Sequence, residues 1–439
     1  MTDLLAARSQ MGLSLAFHMI FATVGIGMPL LMVIAEGLWM RTGDEMYLTL
    51  AKRWAKGTAI LFAVGAVSGT VLSFELGLLW PGFMKFAGPI IGMPFSLEGF
   101  AFFFEAIFLG IYLYGWTRIG RVAHWLAGVG VALSGMLSGM FVITVNAWMN
   151  TPTGFELDAA GAVVGIDPYA AMMNPSSVGQ VTHMICAAYL ATGLMTAGIH
   201  AWYLLKEKGN LFHRRGLAVG LVVAGVATAL QPVTGHLVAH AVAHNQPVKL
   251  AALEAQWETI DGAPFTIGGW PDEEAEETYY AIEIPKLLSL LAYSDPNHRV
   301  MGLKEVPKED RPPVAVTHFA YQLMLACMGA ASVTVGIGAL LVLFRRKIPL
   351  DTPYLWLVVL TAPAGMVGIE AGWTATEVGR QPWVIHGVMR TADAVTPVTG
   401  IQITFLVFTL LYIVLGVMCW FLLHRQFLHS PHDQVEDGT

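Results

Sequence analysis

Six side chains of the kinds that hold iron or carry protons lie inside stretches that otherwise read as membrane: His18, Glu98, Glu105, His183, Met324 and Glu370. Residues 95–116, FSLEGFAFFFEAIFLGIYLYGW, are long enough to cross a bilayer yet contain two glutamates. A carboxylate at membrane depth costs at least roughly 2.5 kcal/mol, so it faces a cavity, a partner or a cofactor. Glu98 and Glu105 are seven residues apart, which on an α-helix returns to nearly the same face two turns on. Two stacked carboxylates suit a proton relay; the bland alternative is a pair of interhelical hydrogen bonds to Ser134 and Ser138. A buried His18 or His183 is either hydrogen-bonded between helices or a metal ligand. Met324 would pass as core filling in a chain with 22 methionines. A haem reading lifts it, because His plus Met is an axial pair that raises the haem potential. Glu370 is flanked by Gly and Trp, and a carboxylate is an uncommon but real iron ligand.

The segment GRQPW at 379–383 adds Arg380 and Trp383. Arg380 suits a bidentate acceptor such as a haem propionate. Equally, an Arg and a Trp at a span end anchor a helix at headgroup depth. Glu75, His124 and His200 lie near span ends and read as structural. His236, His240 and His244, spaced by four, read as a solvated helix face rather than a metal site.

The elements that position these residues are membrane helices. Of 439 residues 55% are hydrophobic and 13% charged, with a mean hydropathy of +0.60. Nine segments have the length of a spanning helix, near 12–36, 57–80, 95–116, 123–148, 181–205, 216–238, 314–344, 354–376 and 399–424. The fold class expected is therefore an all-α polytopic membrane protein. One set of connections carries 14 Lys and Arg and the opposite set only 4, which puts the N-terminus outside and the C-terminus in the cytoplasm. The first apolar stretch lacks a basic leader and reads as a retained span. The three cysteines imply no disulfide framework, and no C-x-x-C-H haem attachment site occurs. Four regions follow: spans one to six over 1–238, an outer loop over 239–313, spans seven to nine over 314–424, and a cytoplasmic tail over 425–439. The loop contains an acidic run, Asp272 to Glu277, and residues 248–259 have the spacing of a short amphipathic helix on the outer surface. No internal repeat is visible.

Together these residues resemble subunit I of the cytochrome bd quinol oxidases. The strongest blocks are SLEGFAFFFEA around Glu98, KLAALEAQWET at the start of the loop, YAIEIPKLLSLLA at 280–292 and EAGWTATEVGRQPW at 370–383. The resemblance implies His183 and Met324 as axial ligands of a low-spin haem b. It implies His18 and Glu370 as ligands of two high-spin haems, one a haem b and the other a haem d or a further haem b. Glu98 stands beside the oxygen-reactive haem, with Glu105 behind it and Ser138 and Asn146 on the proton path. Lys249 and Glu254 match the pair that handles quinol, and Arg8 a basic residue near the propionates. The implied partners are quinol, O2, a second multi-span subunit (subunit II), a small one-span subunit and the lipid of the bacterial cytoplasmic (inner) membrane; nucleic acid has no place. Gln322 departs from the family, many members of which carry Arg there. The short loop is similar to the cyanide-insensitive branch.

Among rivals, a haem–copper oxidase needs a cluster of His on neighbouring helices, and a diheme cytochrome b needs matched His pairs; neither pattern occurs. A proton-coupled transporter using Glu98 and Glu105 is the non-redox alternative, and it would be colourless.

Overall fold

Helices dominate because the apolar stretches can satisfy their backbone groups in lipid only within a helix or a closed barrel. The computed structural model describes residues 2–427. Among them nine helical spans are long and apolar enough to cross a membrane. They are α1 Asp3–Thr42, α2 Glu45–Leu79, α3 Pro81–Tyr114, α4 Arg121–Asn150, α5 Ser177–Lys206 and α6 Leu211–Asn245. After the long loop, which contains the short helix α7 Pro247–Leu253, come α8 Val314–Arg345, α9 Thr352–Thr361 with α10 Ala364–Val378 as one broken span, and α11 Ile401–Phe427. Of the tail expected over 425–439, residues 428–439 lie outside the described residues.

Several helices outrun the apolar windows. At 40 residues, α1 is about 60 Å long, twice the hydrocarbon thickness. Caps explain its ends. Thr2 Oγ1 accepts from Leu5 N at 3.2 Å. Gly43, at φ 71°, closes the far end through its N–H on the Trp39 carbonyl. Helix α3 starts at Pro81 rather than near 95 and carries Pro89 and Pro94 inside it. Pro363 stands between α9 and α10 and separates the two halves of the eighth span.

Helices α5 and α6 pack backbone against backbone. A Cβ on Gly193 would lie 2.7 Å from Ala224 N, and one on Gly220 would lie 2.8 Å from Ala197 N. Small residues one turn apart on both helices thus bring backbone against backbone, as membrane helix pairs commonly do.

The loop differs from expectation in three ways. It begins at Gln246, because α6 continues to Asn245 with His236, His240 and His244 on an exposed helical face, as read from their spacing. It adds β-structure to the all-α membrane part: strands β1 Phe265–Asp272 and β2 Glu277–Ile284 pair antiparallel from Phe265↔Ile284 to Asp272↔Glu277. The acidic run is the turn of this hairpin. Asp272 Oδ1 accepts from Glu274 N and Ala275 N, and Glu276 pairs with Arg311 and Lys308. Third, residues 248–259 do not form a surface helix. Helix α7 stops at Leu253, its Lys249, Leu250, Ala251 and Ala252 are all buried, and Trp257 is buried beyond it with Nε1 donating to Thr278 Oγ1 at 3.0 Å. The hairpin and α8 cover the face that spacing alone left open. Gln322 on α8 fastens the hairpin like an extra strand residue, accepting from Gly268 N at 3.0 Å and donating to the Thr266 carbonyl at 2.9 Å.

Candidate active site

The two carboxylates share one face of α3. Ser138 Oγ donates to Glu98 Oε1 at 3.3 Å. Glu105 is buried where α1 and α4 meet, and two glycines make the room: a Cβ on Gly135 would lie 3.1 Å from its Oε1, and one on Gly25 3.8 Å. Ser134 is not its partner, since that hydroxyl turns back on its own helix to the Gly130 carbonyl at 2.6 Å. A methyl group at 135 would press on the Glu105 carboxyl and on the Gly25 carbonyl at 3.2 Å, so the carboxyl must give by a few tenths of an ångström. For Gly135→Ala, turnover is expected to fall, by less than the roughly 100-fold that a misplacement of about 1 Å costs, with absorption spectra unchanged; full turnover would reject the cradle.

Sequence reading missed the continuation of this stripe. Tyr112 lies a further two turns along α3 and is fully buried. Beside it His124 Nδ1 is 2.8 Å from Glu36 Oε1, and its Nε2 is 2.8 Å from the Tyr112 carbonyl. The seven-residue spacing of positions 98, 105 and 112 was the available signal.

Of the proposed iron ligands, the two histidines are each held by a second group. Ser68 donates to the Gly65 carbonyl at 3.1 Å, so its oxygen is left to accept from His18 Nδ1 at 2.9 Å. That places the His18 hydrogen on Nδ1 and leaves Nε2 as a lone pair, the form a metal takes. Gly69 clears the ring: a Cβ there would lie 3.0 Å from Cε1. His183 Nδ1 meets Thr234 Oγ1 at 3.3 Å, and the Gln231 amide lies 3.2 and 3.3 Å from the two ring nitrogens. The Met324 sulfur packs against α10, where a Cβ on Gly372 would lie 3.0 Å away. Glu370 opens onto a cavity of about 680 Å³ lined by Ile20, Phe319, Leu323, Met366 and Thr374, among others. Among the described residues no three His, Cys, Asp or Glu cluster to bind a bare ion. Single donors on apolar walls fit a metal that brings most of its own ligands, as haem does.

The end of the bundle that bears the loop holds a continuous polar chain. Lys249 Nζ donates to Asn150 Oδ1 at 2.5 Å, Asn150 Nδ2 donates to Asn146 Oδ1 at 3.2 Å, and Asn146 donates to Glu377. Arg380 completes it, donating to Glu377 Oε2 at 2.5 Å. Lys249 and Arg380 are buried, and the Arg380 Nε and Nη1 have no hydrogen-bond partner. These orphaned donors fit an anionic group such as a propionate. Burial, then the Arg380 charge, pulls the Lys249 ammonium well below its usual range, against the pull of Glu377. A cavity of about 240 Å³ adjoins, lined by Lys249, Arg380, Trp383, His386 and Gln246 among others. Trp383 lies under Arg390, whose guanidinium is 5.0 Å from the ring centroid. Burial, with Lys249 and Arg380 adding to it, lowers His386 to about 4. Glu254 is buried, accepts from Thr266 N at 3.0 Å, and is raised by burial to about 7.

Two further residues named from the sequence lie near the ends of their helices. Asn146, four residues from the end of α4, joins this chain through Glu377 and Asn150, and Ser138 lies two turns before it on the same helix, beside Glu98. Arg8 is exposed on the early turns of α1. Glu377 was missed, although it repeats the seven-residue spacing from Glu370 that marks Glu98 and Glu105.

Comparison with known proteins converges on one family. The family model described as cytochrome bd terminal oxidase subunit I matches residues 6–431. The cytochrome bd ubiquinol oxidase subunit 1 of Bacillus subtilis is 31% identical over 457 residues, covering 100% of this chain and 97% of that protein. The cytochrome bd-II ubiquinol oxidase subunit 1 of Escherichia coli is 29% identical, covering 98% and 96%. The solved bd oxidase of Geobacillus thermodenitrificans superposes with a TM-score of 0.93 at 40% identity, covering 98% of this chain and 99% of that one.

Proposed function

The chain belongs to the cytochrome bd terminal oxidase subunit I family, and from that premise we propose that it is the haem-bearing subunit of a quinol oxidase that reduces O2 to water. It is a multi-pass protein of the bacterial cytoplasmic membrane. The observation that carries the mechanism is the separation of two polar systems. The Lys249–Arg380 chain occupies the loop end, and the Glu98–Glu105 stripe runs from mid-bundle toward the opposite end.

Haem, when bound, supplies electron transfer and the binding and reduction of O2; the protein supplies ligands, spacing and proton access. His183 and Met324 hold the low-spin haem b. His18, through Nε2, holds one high-spin haem, which is a haem b or a haem d. A carboxylate of α10 holds the other; Glu370, on the cavity, and Glu377, beside Arg380, are the two candidates. Separate Gln variants identify the ligand, since only one of them loses the corresponding bands. Arg380 would receive propionates, a reading supported by its two buried donors without a hydrogen-bond partner.

Quinol docks at the outer, loop end against Lys249. Glu254, buried and hydrogen-bonded to the hairpin, accepts a proton from it. Protons leave on that side. Protons for O2 come from the cytoplasm and reach the site through Glu105 and Glu98, with Ser138 orienting the Glu98 carboxyl. Release on one face and uptake on the other moves charge without a pump, each elementary charge being worth about 2.3 kcal/mol per 100 mV. Subunit II and a small one-span subunit complete the assembly.

The assembled oxidase in vesicles tests this reading. Quinol should drive O2 uptake with acidification of the loop side, and acidification of the other side would invert the scheme. Lys249→Ala should raise the apparent quinol KM with little change in kcat; normal kinetics would remove Lys249 from the quinol site. Glu254 accepts a proton only when ionised, so kcat should climb as pH rises through about 7. Glu254→Gln should lower kcat and flatten that climb, and a retained profile would assign the pH dependence elsewhere.

A further inference from the structure

The loop carboxyl proposed to accept the quinol proton is surrounded by three side chains from little more than one turn of α8. Glu254 is 1% exposed. Its Oε2 accepts from Thr266 N at 3.0 Å. Thr266 is held in turn: its carbonyl accepts from Gln322 Nε2 at 2.9 Å, and Gly268 N donates to Gln322 Oε1 at 3.0 Å. His318 is fully buried and brackets the same region. Its Nδ1 lies 2.8 Å from the Leu253 carbonyl, next to Glu254, and its Nε2 lies 2.8 Å from the Gly268 carbonyl. Tyr321 stands between His318 and Gln322 on the helix, and its phenol is the hydrogen-bond neighbour of the Glu254 carboxyl. The second carboxyl oxygen, Oε1, has no other donor.

Burial raises the Glu254 carboxyl to about 7, and the Thr266 N–H and the Tyr321 phenol each pull against that rise. The other charged and titratable groups of the packed elements are turned elsewhere. From α7, Lys249 gives its ammonium to Asn150. From the hairpin, Glu283 stands opposite Thr266 and is exposed. From α8, both ring nitrogens of His318 face backbone carbonyls. Among the described residues no Lys, Arg or His forms an ion pair with Glu254.

We propose that Tyr321 is a positioning residue for quinol oxidation: its phenol donates to Glu254 Oε1, aims the carboxylate and keeps it ionised, ready to take the quinol proton. The inference rests on Glu254 being the proton acceptor. In the step, the quinol O–H bond breaks, its proton joins the Glu254 carboxylate, and its electron leaves for the low-spin haem. Tyr321 keeps its own proton throughout. A carboxylate with a donor on each oxygen is fixed in rotation and favoured in its charged form. Without the phenol, the Thr266 N–H holds one oxygen and the other is left bare. Met324 follows Tyr321 by three residues, on the same side of α8. One turn of that helix thus sets both the proton acceptor and a ligand of the proposed electron acceptor.

The test is the pH profile of quinol-driven O2 uptake by the assembled oxidase. Tyr321→Phe removes one oxygen and keeps the ring. The midpoint of the kcat climb, expected near 7 in the wild type, should rise by about one pH unit, the scale of one hydrogen bond to a charged group. At pH 7 kcat should then fall about five-fold, because the ionised fraction drops from about one half to about one in eleven. At high pH it should approach the wild-type value, with quinol KM little changed. A general loss of structure would instead lower kcat at every pH. An unmoved midpoint in a Phe variant with wild-type low-spin haem bands overturns the proposal. Site-specific 3-fluorotyrosine at position 321, a stronger donor of nearly the same shape, should move the midpoint the other way, and no movement there overturns it equally. Glu254→Gln keeps the two readings apart. If it flattens the climb while both changes at 321 leave the midpoint in place, the acceptor stands and the role of Tyr321 falls. If it leaves the climb intact, the acceptor reading has failed and the role built on it goes too. Infrared difference spectroscopy needs no turnover: the carboxyl C=O band lost in Glu254→Gln should shift in Tyr321→Phe, and an unshifted band rejects the contact.

Discussion

Glu98→Gln is expected to lower O2-reducing turnover by roughly 100-fold to 10,000-fold, the range spanned by loss of a positioned proton-transfer group. The substitution is nearly isosteric. Its amide can keep the Ser138 contact that now measures 3.3 Å, so packing between α3 and α4 survives. What disappears is the ability to hold and release a proton. Low-spin haem bands and quinol KM should therefore stay at wild-type values, and electrons should accumulate on the haems during turnover. Unchanged O2 uptake would show that protons bypass this residue. Glu105→Gln should behave similarly if, as proposed, protons reach Glu98 by way of it.

The second large effect belongs to Met324→Leu. Leu and Met have similar volume, and such exchanges cost less than about 1.5 kcal/mol in a packed core, so the helix should stay seated against Gly372. The thioether, however, is gone. The low-spin haem should lose its six-coordinate spectrum, its potential should fall, and quinol-driven reduction should slow roughly 10-fold to 100-fold, the scale set by disturbed ligation. His183→Ala should be more severe and lose the haem altogether. A native six-coordinate spectrum in the Leu variant would mean that another side chain completes the pair.

Hydropathy located every span, because length and apolarity are what a bilayer demands, but it gave poor ends. Thr2, Gly43 and Pro81 set those ends by capping and by backbone geometry, which no apolar window senses. Residues 248–259 misled for a related reason. Spacing reports one apolar face, whereas Lys249 and Trp257 are buried by a hairpin folded from residues further along the chain. The Glu98–Glu105 pair was legible because both members sit on one helix. The Lys249–Asn150–Asn146–Glu377–Arg380 chain was not, since it joins the loop, α4 and α10. The Glu105 cradle is harder still to read, being made of side chains that Gly25 and Gly135 lack.

The backbone contact between α5 and α6 also bears on speed. His183 rides on α5, and its neighbours Gln231 and Thr234 ride on α6. Where Gly193 and Gly220 meet the opposing chain, no side chain lies between the two helices to swing or repack. An electron carrier performs best when its surroundings move least as charge comes and goes. With the low-spin haem held by His183, as proposed, the seam would give that site such stiffness, so the nuclear rearrangement accompanying each electron should be small and hopping onward correspondingly quick.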